Sequence, residues 1–273
     1  MNLTHALCSI EDGLATITLN RPESRNALSE DMRRDFDQII ADIKPKLGDE
    51  VKAVLLTGAG HSFCAGGDVK AMQDPKRADL VWGRARMRGS HQRLFEIRNL
   101  ECPVVAAVNG FAAGAGFGLA LMADFIFAGP STRFACSFSR IGLMPDWGLI
   151  HTLPRAVGMQ KAKDLIFTAR RVKPEEAQSM GLVHTIVDED ARLVPAATAF
   201  ARRFCNASTA AIGLSKVILN TSFESDHRTV LEAEGLGQPH LSTTPFHKEA
   251  VRRFAEKEAP MFDWEQMERD AAE

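Results

Sequence analysis

Two short apolar runs, each closed by glycines, constrain this chain most. Val51 to Thr57 (VKAVLLT) stops at Gly58 and Gly60, and Val104 to Val108 (VVAAV) is entered through Pro103 and empties into NGFAAGAGFGLA, Asn109 to Ala120. Runs of this length, rich in β-branched residues and punctuated by glycine, are strands rather than helices. Leu14 to Leu19 (LATITL) is an earlier strand, and Phe125 to Ala128 and His184 to Val187 are later candidates. Between the first two, Ser29 can cap a helix whose apolar positions Met32, Phe36, Ile39, Ile40 and Ile43 recur at three and four. Strands separated by helices predict an α/β arrangement with ligand loops at the strand ends.

Past Leu193 the texture changes to helix without strand. Leu193, Ala196, Ala197, Phe200, Ala201 and Phe204 make one apolar face, and Phe246, Ala250 and Phe254 make another. Such a tail covers the core of its own chain or docks on a neighbouring subunit, and periodicity alone favours core covering. The boundary is placed at 195, with a core over 1–195 and a helical region over 196–273.

At 273 residues and 45% hydrophobic content there is ample material for a buried core. Lys and Arg number 33 against 35 Asp and Glu, a formal net charge of -2 that provides no global pull toward nucleic acid or anionic membrane. Cys8, Cys64, Cys102, Cys136 and Cys205 are scattered, with no CxxC pair and no histidine at zinc-ligand spacing, which fits reduced thiols in a cytoplasmic protein and gives no metal site. The first residues have neither a signal nor a transit pattern, and no apolar run approaches the roughly 20 residues of a membrane span.

Three segments together resemble the enoyl-CoA hydratase/isomerase, or crotonase, family: LNRPESRNAL (Leu19 to Leu28), FCAGGDVKAM (Phe63 to Met72) and VNGFAAGAGFGLALMADFIFA (Val108 to Ala128). Each is weak alone; their order and spacing are specific, and the resemblance runs from about Leu14 to Phe262. The fold it implies is an α/β, crotonase-like ββα spiral core with a helical C-terminal region that mediates trimer formation, often as a dimer of trimers. The nearest branch it suggests is the ring-epoxide isomerase of phenylacetate breakdown. A Rossmann reading of the glycine loop fails, because Gly114, Gly116 and Gly118 are spaced GxGxG and no acidic residue ends a second strand about 20 residues later.

Chemistry next to a thioester carbonyl pushes negative charge onto its oxygen, and fixed backbone N–H donors stabilise that charge without reorganising. The resemblance implies that those donors are the amides of Gly67 and Ala115. The small residues Gly66-Gly67 and Gly114-Ala115-Gly116 admit a ligand close to the backbone, and a helix starting near Gly116 has a dipole favouring an anion. Alternatively, such glycines simply make turns and tight helix contacts. For the coenzyme A part of the substrate, Ser24, Arg25, Ala27, Ala65, Asp68 and Lys70 fall at matching positions, although Arg25 and Lys70 also read as ordinary surface charges. Arg84, Arg86, Arg88, Arg93 and Arg98 read as a solvated helix face rather than a phosphate clamp.

Hydratases of the family place two glutamates around a water. Here the matching positions are Gly118 and Phe138, so efficient hydration by that route is not expected. FACSFSRIGLMPDWG (Phe134 to Gly148) offers Asp146 instead, in a pattern shared with the ring-epoxide branch, whose aspartate carries the proton. From the tetrapeptide alone, Pro145-Asp146-Trp147-Gly148 is good turn chemistry; the family position makes Asp146 the proton carrier. Trp147 and Phe138 either wall a site that raises the Asp146 pKa or pack the core.

The resemblance therefore implies an acyl-CoA isomerase that shifts a double bond or opens a ring epoxide, with Gly67, Ala115 and Asp146 at its centre. Coenzyme A enters only as part of the substrate, and no other cofactor is implied. The alternatives are an enoyl-CoA hydratase, an aryl-CoA hydrolase or dehalogenase in which the same aspartate is a nucleophile with His91 nearby, and a CoA- or RNA-binding homologue without turnover.

Overall fold

The two apolar runs become adjacent central strands of a six-stranded sheet. The computed structural model describes residues 3–270, without the side chains of Val69, Lys70 and Arg77. The strands are β1 (Ala6–Glu11), β2 (Leu14–Leu19), β3 (Ala53–Gly58), β4 (Val104–Val108), β5 (Phe111–Ala113), β6 (Phe125–Ala128), β7 (Arg133–Ala135), β8 (Arg171–Val172) and β9 (Thr185–Ile186). The α-helices are α1 (Glu30–Ile43), α2 (Val69–Met72), α3 (Leu80–Arg98), α4 (Ala115–Ala120), α5 (Leu149–Val157), α6 (Met159–Thr168), α7 (Pro174–Ser179), α8 (Leu193–Arg203), α9 (Thr209–Thr221), α10 (His227–Ser242), α11 (Pro245–Glu256) and α12 (Trp264–Asp270).

The large sheet is ordered β1-β2-β3-β4-β6-β9, parallel throughout except where β1 meets β2. Every residue of β3 and β4 is buried, as a parallel strand covered on both faces requires. Val54, Leu56, Val104 and Ala106 face one core cluster; Leu55, Val105 and Ala107 face a second, closed by Leu193, Ala197, Phe200 and Ala201 of α8. On the first side α1 is capped by Ser29, whose Oγ accepts the Met32 amide at 3.1 Å. Its Met32, Phe36, Ile39, Ile40 and Ile43 are all buried, at about 1.5–3 kcal/mol per large apolar side chain. A smaller sheet, β5-β7-β8, sits beyond the end of β4.

β2, β4 and β6 occupy the expected segments. β3 starts at Ala53 rather than Val51, because Val51 bridges back to Leu47. The expected strand over His184 to Val187 narrows to Thr185–Ile186. β1 lies outside the expected strands: it is an edge strand with one buried residue, Ala6, and carries little apolar pattern.

The two apolar faces of the helical tail behave differently. Position 195 falls inside α8, which packs on the sheet and covers the core. By contrast α11 has no buried residue, and its Phe254 is 87% exposed. Core covering therefore describes the first face and not the second. α9 is tied to the sheet by an ion pair from the buried Lys216, Nζ to Asp124 Oδ2 at 2.7 Å, with a second bond from Lys216 to the Cys102 carbonyl. All five cysteines are free thiols, and no described helix is long and apolar enough to cross a membrane.

Candidate active site

Two asparagines bind the loop that follows β3. Asn26, fully buried, donates through Nδ2 to the carbonyls of Ala59 (2.9 Å) and Ser62 (2.6 Å) and accepts the Arg21 amide at 2.8 Å. Asn109, just past β4, donates to the carbonyls of Gly58 (2.7 Å) and Gly60 (2.8 Å). A tight loop has backbone groups with no ladder partner, and side-chain amides supply donors and acceptors together. The chain is thus held on both sides before it reaches Gly66 and Gly67.

From there the loops after β3 and β4 run side by side. The Cys64 amide donates to the Phe111 carbonyl (2.9 Å) and the Ala113 amide to the Cys64 carbonyl (3.0 Å). Gly66 has φ +95°, and a Cβ there would lie 2.6 Å from the Ala113 carbonyl oxygen and 3.3 Å from the Ala115 nitrogen, so only glycine fits. The peptide carrying the Gly67 amide consequently abuts the start of α4. In that helix Phe117 and Gly118 both donate to the Gly114 carbonyl, at 3.0 and 3.1 Å. Among the described residues, no turn, loop or cap bond engages the amides of Gly67 or Ala115. Two neighbouring N–H groups in that condition are suited to an external oxygen.

The segment carrying Asp146 closes on the same helix. A Cβ on Gly118 would sit 2.4 Å from the Trp147 carbonyl oxygen and 2.7 Å from the Trp147 Cβ. Gly118 lies three residues after Ala115, about 4.5 Å along the helix axis. The loop residue next to Asp146 therefore rests within one turn of the free amide. Phe138, 8% exposed, lies against the same loop, its ring 3.7 Å from where a Cβ on Gly114 would be. Both aromatic residues thus wall one site, and both are also core residues.

Asp146 Oδ1 is buried and has no hydrogen-bond partner. That burial pushes the carboxyl pKa up, while Arg86, Arg33 and His91 pull it back down. The Arg33 guanidinium stands 5.7 Å from the centre of the Trp147 ring. The arrangement can hold a growing negative charge on one oxygen and move a proton with one carboxylate.

A family model described as enoyl-CoA hydratase/isomerase matches residues 9–266. The chain belongs to the enoyl-CoA hydratase/isomerase family. It is 36% identical to a short-chain-enoyl-CoA hydratase of Clostridium acetobutylicum, over 94% of this chain and 97% of that one. It is 33% identical to 1,2-epoxyphenylacetyl-CoA isomerase of Escherichia coli, again over 94% and 97%. A crystal structure of an enoyl-CoA hydratase/isomerase from Cupriavidus metallidurans superposes with a TM-score of 0.89 at 31% identity, covering 96% of this chain and 97% of the other. The α/β core with a helical C-terminal region is the architecture of this family.

Other residues of the family motifs are placed less uniformly. Ala65 donates its amide to the Arg25 carbonyl at 2.9 Å, which joins the first two motif segments. Arg25 is exposed and left-handed (φ +49°), Ser24 is half-buried and Ala27 is buried. Asp68 forms an ion pair with Arg21 at 3.1 Å, and Arg21 also donates to the Ala27 carbonyl at 2.8 Å. Lys70 lies in α2, with its side chain outside the described residues.

The arginines of α3 are not one solvated face. Arg84 and Arg88 are exposed, but Arg93 is buried and bidentate to Asp37, Arg98 donates to the Asn220 carbonyl, and Arg86 acts on Asp146. Position within the helix separates them, and composition does not. Sequence reasoning also missed Arg21, Asn26 and Asn109 as site organisers; their signal was a polar residue inside the first and the third of the family segments. A cavity of about 800 Å³ lies at the opposite end of β4 and β6, lined in part by Pro103, Phe125, Ser215 and Lys216. None of Gly67, Ala115 or Asp146 lines it. No group of residues suited to a metal ion occurs among the described residues.

Proposed function

We propose that this chain is an acyl-CoA isomerase that moves a double bond through an enolate of the thioester. The observation that carries this reading is the packing of the Trp147 backbone on Gly118, which fills the place of any side chain there, beside a half-buried Asp146 whose Oδ1 has no partner. Asp146 removes a proton from the carbon beside the thioester carbonyl, the amides of Gly67 and Ala115 hold the resulting oxyanion, and the same carboxyl returns the proton further along the chain. One carboxylate suffices because the proton is moved, with no water added. Burial raises its basicity for that task. Ser24, Arg25, Ala27, Ala65 and Lys70 are proposed to lie along the coenzyme A moiety, with Asp68 fixing the loop through Arg21. The cytoplasm is the proposed location. A homotrimer, or a dimer of trimers, is the proposed assembly, supported by the uncovered Phe254 face of α11.

A second reading, hydration, is favoured by the 36% identity to an enzyme named as a hydratase. Turnover of 3-enoyl, 2-enoyl and aryl-epoxide CoA thioesters separates the two. The isomerase reading expects the double bond of a 3-enoyl-CoA to move, or the epoxide ring to open, with little 3-hydroxyacyl-CoA formed. Rapid hydration of 2-enoyl-CoA with no isomerisation of any substrate would overturn it, and binding without turnover of any thioester would remove both.

A further inference from the structure

The carboxylate of Asp146 is held only lightly by bonds of its own, the one that bears on it coming from its own backbone amide. Its Oδ1 has no partner, and its backbone carbonyl accepts one bond, from the Leu149 amide at 3.2 Å. The residue after it is far more constrained. Trp147 has φ +51°, a left-handed backbone that a bulky side chain rarely adopts, and is 2% exposed. Its side chain belongs to the same core cluster as Leu28, Met32, Phe36 and Leu119 and shares with them and Arg93 the walls of one small socket, with the Arg33 guanidinium over the ring. Its carbonyl and Cβ press on the bare backbone of Gly118. Residues held in a sparsely populated backbone region persist only where the surroundings over-determine them.

We infer that Trp147 is the positioning residue of Asp146, and that its seat on Gly118 makes any side chain at 118 incompatible with the observed place of that carboxylate. The inference rests on the isomerase reading of Asp146 and deepens it. A Cβ at 118 would meet the Trp147 carbonyl at 2.4 Å, against 3.4 Å for an ordinary contact, so the loop must retreat by about 1 Å. A misplacement of that size costs about 100-fold in rate when a reacting group is involved. The atoms nearest a Cβ at 118 all belong to Trp147 and none to Gly67 or Ala115, so those two amides keep their hold on the thioester. In this chain the space that a side chain at 118 would need is taken by the backbone that presents Asp146.

The test measures kcat and KM for isomerisation, binding of a saturated acyl-CoA and melting temperature in Gly118→Ala, Asp146→Asn and their double variant. The expected result for Gly118→Ala is a fall in kcat of about 100-fold with KM and thioester binding nearly unchanged, and no further loss when it is added to Asp146→Asn. Trp147→Ala is expected to lose turnover likewise, and Trp147→Phe, which returns a ring to the socket, to recover much of it. These last two decide the matter if Gly118→Ala fails to fold. Wild-type kcat in Gly118→Ala or in Trp147→Ala, with Asp146→Asn inactive, overturns the inference alone. So does an equal loss from Gly118→Ala with and without Asp146. Full turnover by Asp146→Asn removes the isomerase reading and the inference together, and that single variant identifies which has failed.

Discussion

Replacing Ala115 by proline removes one amide hydrogen at the start of α4 and tests the oxyanion assignment without touching a side chain that does chemistry. Proline is well suited to the first position of a helix, where the N–H has no partner inside the helix, and its fixed φ matches helical backbone. Gly114 before it has φ +52° and ψ −122°, outside the right-handed helical region that a following proline disfavours. The remaining first-turn amides of Phe117 and Gly118 keep their bonds to the Gly114 carbonyl. Losing one preformed oxyanion donor costs about 10²- to 10³-fold in kcat, or roughly 2.7–4 kcal/mol. The fold loses no bond in exchange, so the melting temperature is expected to change little. The assay is steady-state turnover of the preferred enoyl-CoA, with thioester binding and thermal unfolding on the same preparation. A folded Ala115→Pro enzyme with kcat within about threefold of the wild type would show that this amide does not hold the oxyanion.

Because burial raises the Asp146 pKa above the ordinary 3.8, kcat/KM should fall on acidification with a midpoint above that value, and Asp146→Asn should lack this limb; a midpoint at or below 3.8 contradicts the placement. The linked stability runs the other way: a carboxyl with a raised folded pKa favours the fold below its unfolded pKa and loses that contribution as pH rises through the folded value, so Asp146→Asn gains stability relative to wild type near pH 7 but not near pH 3. Lys216→Met leaves Asp124 and the Cys102 carbonyl without their partner and should cost about 1–3 kcal/mol by urea unfolding at pH 7, shrinking in acid as Asp124 takes a proton; no measurable loss would mean that the pair does not tie α9 to the sheet. Gly118→Glu should fail to confer hydration, since the new side chain meets the Trp147 backbone first; a gain of 3-hydroxyacyl-CoA formation refutes that packing.

What the sequence disclosed and what it hid divide along the range of the interactions. β2, β4 and α1 were legible because each depends on a local pattern, such as the spacing from Met32 to Ile43 behind the Ser29 cap. The glycine motifs were legible because a close approach of two loops leaves no room for Cβ, as at Gly66. The loss of glutamate at 118 could be read, but its physical partner could not. Trp147 is 29 positions away, and nothing in PDWG reveals that its carbonyl rests on α4. Arg93 and Arg86 look alike in a helix of arginines, and only the neighbouring α1 and the Asp146 loop distinguish a buried arginine paired with Asp37 from a cation acting on the carboxylate. The tail shows the same limit: α8 and α11 have similar apolar periodicity, and only one of them meets the sheet.

In the isomerase reading Asp146 moves the proton. Asp146→Asn preserves the side-chain shape and removes the base, and in heavy water the enzyme can be followed by both the double-bond shift of a 3-enoyl-CoA and deuterium uptake at the carbon beside the thioester. The account predicts that both rates fall together by about 10²- to 10⁴-fold while binding of a saturated acyl-CoA is retained. Isomerisation and exchange at the wild-type rate in Asp146→Asn would contradict it.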